Sequence, residues 1–307
     1  MKQKDNARTI SVIVANYNRN EEIQQLAAML YGLRQLICEL IIIDDASTIN
    51  PDVNYDGIQR AYPEFTIKII RHDVNRGPAA SRNSGIVAAR GDMLLFIDSD
   101  VRCGQDCIRL LHDCIGPYHI AFPTILYDDN TRKNPQNYQF NQDHCMDSAM
   151  FMIKKKALDK MDSYFDKDLR IGEDCDFFLR AYIFGLAALY VKEAGARHPV
   201  RTSFTANDLR EDLQYPLYAK LKVMGMCKYH IPWLVTIAIL LVTHFIGAVS
   251  RKRVVLFSNI KPVRYSASRI SLVKAYLAAI SWNIARTGDI LRKRRKLRKA
   301  IRKYKEA

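Results

Sequence analysis

Acid is what the last third of this 307-residue chain lacks. Residues 204–307 hold 5 Asp and Glu against 22 Lys and Arg, whereas residues 1–203 hold 27 against 25. The formal net charge of +15 therefore belongs to the C-terminal third. Such asymmetry excludes a uniformly basic protein and marks an attached basic or membrane-facing region. Paired cysteines are also missing: Cys38, Cys103, Cys107, Cys114, Cys145, Cys175 and Cys227 form no C-x-x-C, so a reduced compartment is expected. Cys103, Cys107 and Cys114 with His112 fall on different sides of a helix, which argues for small buried hydrophobes rather than zinc ligands. Met1–Arg8 has no apolar signal core, so the N-terminal domain is expected to stay in the cytosol. Neither G-x-G-x-x-G nor G-x-x-x-x-G-K-[ST] occurs, which leaves hydride-transfer and kinase readings without their phosphate cradle.

What is present is a chain that is 49% hydrophobic and 26% charged, enough for one large domain and an appendage. Thr9–Ala15 is a continuous β-branched run that reads as a buried parallel strand. After the polar break Asn16–Asn20, Ile23, Leu26, Ala27, Leu30 and Leu33 follow helical spacing. The unit repeats: strand Leu40–Ile43, strand Ile67–Ile70, helix Ala79–Ala89, strand Met93–Ile97. Alternation of this kind predicts an α/β fold with a mostly parallel sheet covered on both faces. Asn16, Asp44, Asp45, Asp98 and Asp100 all fall just past strand ends, the edge where open α/β sheets bind ligands. Beyond residue 115 the reading is coarser: a surface loop over Asp128–Asp143, a strand over Ser148–Ile153 and a helix over Gly172–Gly185 with an acidic first turn.

The tail opens with a helix over Asn207–Gly225. Ile231–Val249 follows, 19 residues without Asp, Glu, Lys or Arg, where roughly 20 would span a bilayer. Lys220, Lys222 and Lys228 precede it and Arg251, Lys252 and Arg253 follow, so the flanks set no orientation. Ile270–Ala285, with Trp282 and Lys274, is a weaker apolar segment. A shallow hairpin, or one span returning through an interfacial helix, fits both. The basic run from Arg292 to Lys305 suits anionic lipid headgroups, and the adjacent apolar segment favours an anionic membrane surface over nucleic acid as its partner.

Asp98-Ser99-Asp100 directly follows an apolar strand, so both carboxylates can face a crevice. Hard oxygen ligands in that position suit Mn2+ or Mg2+ held together with phosphate oxygens. Its context is an ordered set of motifs: Ser11–Asn18, Ile43-Asp44-Asp45-Ala46-Ser47, Asn75–Gly85, Asp98-Ser99-Asp100 and Gly172–Phe177. In this order they resemble glycosyltransferase family 2, inverting enzymes of bacterial polysaccharide and glycolipid synthesis, over residues 9 to about 200.

The resemblance implies the GT-A fold, a Rossmann-like, mixed but mostly parallel sheet, over residues 1–203. Its nucleotide-sugar half would cover about 9–115 and its acceptor half about 116–203, followed by a helical, basic, membrane-associated region over 204–307. It implies that Ala15, Asn16 and Asp45 surround base and ribose with Asp44 beside them, that Arg82 approaches the nucleotide, and that Asp98 helps through ribose or water. It also implies Asp100 as direct metal ligand, His198 as a metal or diphosphate contact with Arg201 a weaker candidate, and Asp174, beside Glu173, as the base. Turn or cap formation remains the alternative for Asp44 and Asn83, and helix-terminal charge for Glu173, Asp174 and Asp176. Met161–Asp166 departs from the glycine pair that many relatives carry there, and no Q-x-x-R-W signature is found. The implied reaction moves a sugar from a nucleotide-sugar donor, UDP by frequency, to a glycan or lipid-linked acceptor at the cytoplasmic face of the membrane. A catalytically inactive membrane scaffold and a sugar-phosphate nucleotidyltransferase are the competing readings.

Overall fold

The computed structural model describes residues 9–49, 52–127, 132–133, 148–199, 204–223, 226, 233–252 and 265–306. Two compact units emerge. Among the described residues the first holds 9–127, 132–133, 148–167 and 186–199, and the second holds 168–185 together with everything after 204.

In the first unit, strands β1 (Ile10–Asn16), β2 (Ile37–Asp44), β3 (Ile67–Arg71) and β4 (Met93–Ile97) are parallel neighbours. Every residue of β4 is buried, as its unbroken apolar run demands. The sheet continues through β8 (Met150–Lys154), β6 (Ile120–Tyr127), β9 (Ala188–His198) and the short β5 (Arg102–Cys103), in the order β3-β2-β1-β4-β8-β6-β9-β5. A further short strand, β7 (Arg132–Lys133), pairs with β6. It lies within the loop expected over Asp128–Asp143, most of which is outside the described residues. After β1 the chain steps outward to β2 and β3, then crosses to the other side of β1 to make β4. The direction of winding thus reverses between β1 and β4, which is where such sheets open a ligand crevice.

Helix α1 (Asn20–Tyr31) buries Ile23, Leu26, Ala27 and Leu30. Helices α2 (Asp52–Ala61), α3 (Pro78–Ala88) and α4 (Gln105–Cys114) complete the unit's layers, with a short 3-10 turn over Lys155–Lys160. The close seat of α3 explains Gly85: a Cβ there would lie 2.3 Å from Cγ2 of Ile13 on β1.

The second unit is helical. It comprises α5 (Glu173–Ile183), α6 (Ala206–Val223), α7 (Trp233–Ser250), α8 (Arg269–Ala285) and α9 (Thr287–Glu306). Leu213 and Leu217 of α6 pack with Ala279 of α8 and with Ile237, Leu240 and Leu241 of α7. Leu169, Tyr215, Tyr218 and Ala219 enclose Ile290 of α9. Helix α7 is mostly apolar and leaves Val235, Val242, Phe245, Ile246 and Val249 exposed. Among the described residues no helix is long and apolar enough to cross a membrane. Of the apolar segment 231–249, the residues from Trp233 on form α7, and the second apolar segment lies in α8.

Cys38, Cys103, Cys107 and Cys114 are free thiols. Cys175 is disulfide-bonded, contrary to the expectation of reduced cysteines throughout: spacing along the chain carries no information about which cysteines meet in space.

Candidate active site

The polar residues after β1, β2 and β4 share one edge of the sheet because their strands are parallel and in register, Asn16 opposite Asp44. Asn16 is 1% exposed and Asp44 0%. Asn16 donates through Nδ2 to Tyr55 Oη at 2.7 Å, and Asp44 Oδ1 accepts from the Ser47 amide at 2.9 Å. Their other oxygens, Asn16 Oδ1 and Asp44 Oδ2, are buried without a hydrogen-bond partner. Arg71 Nε stands 3.6 Å from Asp44 Oδ2, beyond hydrogen-bond reach. A buried acceptor left so costs about 1–3 kcal/mol. Ala15 is half-buried beside them, opposite Ile43.

Asp45 is differently placed. Its Oδ1 accepts from the Arg76 amide at 2.9 Å and from His72 Nδ1 at 2.7 Å, and its Oδ2 from the Gly77 amide at 2.7 Å. His72 Nε2 in turn lies 2.9 Å from Ser84 Oγ. Asp45 thus braces the turn before α3, a turn that Gly77 makes with φ +84°. Asn83 likewise ties chain to chain, its amide exchanging hydrogen bonds with the backbone of Phe165 at 2.9 and 3.0 Å.

Asp98 and Asp100 leave β4 on a turn anchored where the Asp98 amide meets the Ala149 carbonyl at 2.8 Å. Arg82, buried on α3, holds Asp98 Oδ1 at 3.0 Å. The next residues form β5, whose Arg102 pairs with Arg197 of β9, and this pairing brings His198 to Asp100. The ligand atoms of Asp98, Asp100 and His198 lie within 4.8 Å of one another. His198 Nδ1 donates to the Pro199 carbonyl at 2.9 Å, which leaves Nε2 as the lone-pair nitrogen in the neutral ring. That nitrogen faces Asp100 Oδ1 at 3.6 Å. Two carboxylates and an imidazole lone pair converging this way fit a divalent cation such as Mn2+ or Mg2+. Arg201 lies outside the described residues. Arg19, which the motifs did not single out, reaches Asp100 Oδ2 at 2.5 Å.

Glu173 and Asp174 open α5 in the second unit. Glu173 is 6% exposed and Asp176 0%. Asp176 is committed to a buried cluster, accepting from Arg180 Nε at 2.8 Å and pairing with Lys222 Nζ at 2.5 Å. Asp174 is only half-buried, with Oδ1 taking the Cys175 amide at 2.7 Å. Of the three acids it is the most accessible, which separates its chemistry from that of Asp176.

Fold and site together define an α/β protein whose mostly parallel sheet gathers Asp98, Asp100 and His198, a group that could hold a cation, at its carboxyl edge. The profile of glycosyl transferase family 2 matches residues 11–166. A succinoglycan biosynthesis protein, ExoO of Rhizobium meliloti, is 25% identical over 232 residues, covering 68% of this chain and 65% of its own length. Among solved structures, the mannosyltransferase PcManGT of Pyrobaculum calidifontis, in complex with GDP-Man and Mn2+, superposes with a TM-score of 0.59 at 14% identity over 92% of this chain and 76% of that one. TarS 1–349 of Staphylococcus aureus, in complex with UDP-GlcNAc, superposes with a TM-score of 0.59 at 16% identity over 97% and 90%. The chain belongs to glycosyltransferase family 2, and its fold is GT-A.

Proposed function

We propose that the protein is an inverting, metal-assisted glycosyltransferase that moves a sugar from a nucleoside-diphosphate sugar, foremost a UDP-sugar, to a hydroxyl of a glycan or lipid-linked acceptor. The convergence of Asp98, Asp100 and His198 at the carboxyl edge of the sheet, the edge that also carries Asn16 and Asp44, carries this reading. The free oxygens of Asn16 and Asp44 suit the imide N–H of a uracil, thymine or guanine base, with Asp45 shaping the neighbouring turn. In this reading Arg82 and Asp98 take the ribose and diphosphate. Asp98, Asp100 and His198 would hold Mn2+ or Mg2+, which when bound neutralises charge on the leaving diphosphate.

Inversion requires a base for the acceptor hydroxyl, and Asp174 takes that role in this reading. The Gly172–Phe177 motif supports it, as does the partial exposure of Asp174 beside the buried Glu173 and Asp176. Asp174→Asn should cut transfer about a hundredfold or more while nucleotide affinity stays close to wild type. Equal loss of both would return Asp174 to a structural role.

The acceptor in this reading is presented at an anionic membrane, on its cytoplasmic face. The bare side of α7 and the basic α9 supply apolar insertion and headgroup attraction. Flotation with vesicles containing phosphatidylglycerol should carry the wild type upward and leave Val242→Glu/Ile246→Glu below. A double variant that floats as well as wild type refutes the docking.

The donor is found by screening nucleotide sugars for thermal stabilisation with and without Mn2+. A Mn2+-dependent rise in Tm with one donor class is the expected result, and no stabilisation by any nucleotide would defeat the reading.

A further inference from the structure

Both carboxylates of the cation site are already paired with arginines. Asp98 Oδ1 has Arg82 Nη2 at 3.0 Å, and Asp100 Oδ2 has Arg19 Nη1 at 2.5 Å. The two arginines differ in freedom. Arg82 has a side chain that is 6% exposed, whereas that of Arg19 is 44% exposed against 15% for the Asp100 it holds.

The backbone beneath Arg19 is fixed. Asn18 sits in the left-handed region, φ +58°. Its Oδ1 accepts from the Thr48 amide at 2.8 Å and the Ile49 amide at 3.2 Å, and its own amide donates to Ser47 Oγ at 2.9 Å. Arg19 occupies the N-cap position of α1 and makes no side-chain capping bond there. A long cationic arm thus leaves a pinned turn and ends on the residue expected to bind metal.

Charge decides what this pairing does. Two carboxylates and two guanidiniums are neutral together. A divalent ion entering alone would leave the site with two excess positive charges and would have to compete with Arg19 for Asp100. A nucleoside diphosphate sugar brings two negative charges, and its phosphate oxygens are good bidentate partners for a guanidinium. With ion and diphosphate both present, neutrality returns.

We propose that Arg19 is a placeholder cation: it holds Asp100 until a divalent ion takes that carboxylate, then turns to the donor's diphosphate, so that metal and donor each strengthen the other's binding. This rests on the metal-assisted reading above. Because coupling between two ligands is reciprocal, it can be read from the metal side without turnover.

The test is Mn2+ binding followed by the EPR signal of the free ion, with and without UDP, in wild type, Arg19→Ala and Arg19→Gln. Wild type should bind Mn2+ weakly alone and more tightly with UDP. In both variants Mn2+ affinity without UDP should rise, by about fivefold or more, and the enhancement by UDP should shrink by a comparable factor. A gain in metal affinity cannot come from a damaged fold, so the sign separates the proposal from a structural role. If Mn2+ affinity without UDP is unchanged or lower in both variants while UDP still enhances it, the placeholder role is overturned and the metal site stands. If wild type binds no Mn2+ even with UDP, the placeholder and the metal-assisted reading fall together.

Discussion

The two edges of the parallel part of the sheet use similar residues for opposite ends. At the amino edge, Glu39 of β2 is 1% exposed and Ser11 of β1 0%. Ser11 Oγ donates to Glu39 Oε1 at 2.6 Å and accepts from the Gly91 amide at 2.8 Å. Glu39 also takes the Arg90 amide at 2.6 Å and its Nε at 3.2 Å. At the carboxyl edge, Asn16 and Asp44 keep buried oxygens without hydrogen-bond partners, that of Asp44 with only Arg71 at 3.6 Å. Asn18 and Ala46 sit at positive φ, conformations that cost of order 1–3 kcal/mol in a non-glycine residue. A carboxylate with finished coordination closes a structure. One paired with an exposed cation, as Asp100 is with Arg19, is where our proposal puts a ligand.

The largest break in that comparison comes from Asp100→Ala. It removes the oxygens shared between Arg19 and the cation site, so transfer measured under single turnover with saturating donor and Mn2+ should fall at least about a hundredfold. The thermal midpoint should barely move, because a half-exposed arginine pair contributes about 1 kcal/mol or less. Turnover that persisted unchanged would remove the metal assignment. A smaller effect tests Asn16. Asn16→Ala deletes a buried acceptor without a hydrogen-bond partner and, offsetting that gain, the bond to Tyr55 Oη, so UDP affinity by calorimetry should weaken about tenfold while stability changes by less than about 1 kcal/mol. A large loss of stability with unchanged UDP affinity would make Asn16 part of the frame, like Glu39.

How much of this contrast the amino acids announce varies with the kind of signal. β4 is an unbroken apolar run, and β1 and β2 are apolar but for one buried residue inside each, Ser11 and Glu39; such runs are legible because a strand buried on both faces has little room for polar residues, and Asp98 and Asp100 are legible as acids at the end of such a run. β6 is not, because Pro123 interrupts it. The ladder with β9 shifts register between Pro123 and Thr124 to accommodate the interruption. β9 carries Lys192, Glu193 and Gly195 on a partly exposed strand, and its mixed burial hides the period. The meeting of His198 with Asp100 depends on Arg102 pairing with Arg197, 95 positions apart in sequence, so only the motif resemblance pointed to it. Adjacent Asp44 and Asp45 look interchangeable in sequence, yet successive residues diverge where a strand ends. One keeps a bare oxygen; the other is absorbed by His72, Arg76 and Gly77. Arg19 was silent because a single charge in a turn is ordinarily solvated.

The mildest prediction concerns pH, at the amino edge. Burial alone would push the Glu39 carboxyl upward. The Ser11 hydroxyl, the Arg90 amide and the Arg90 guanidinium outweigh it and hold the group below the ordinary glutamate value of 4.5. The guanidinium's share is discounted because its side chain is 68% exposed and screened by solvent. A carboxyl whose folded pKa is depressed stabilises the fold above its unfolded pKa, and that contribution disappears as pH falls through the folded value. Glu39→Gln should therefore cost about 1 kcal/mol in urea unfolding at neutral pH, and the cost should shrink as the solution is acidified below about 4.5. UDP affinity should be the same in both proteins at every pH where both are folded. If Glu39→Gln weakened UDP binding as Asn16→Ala should, the division between a closed edge and an open one would fail, since both ends of the sheet would then answer to the ligand.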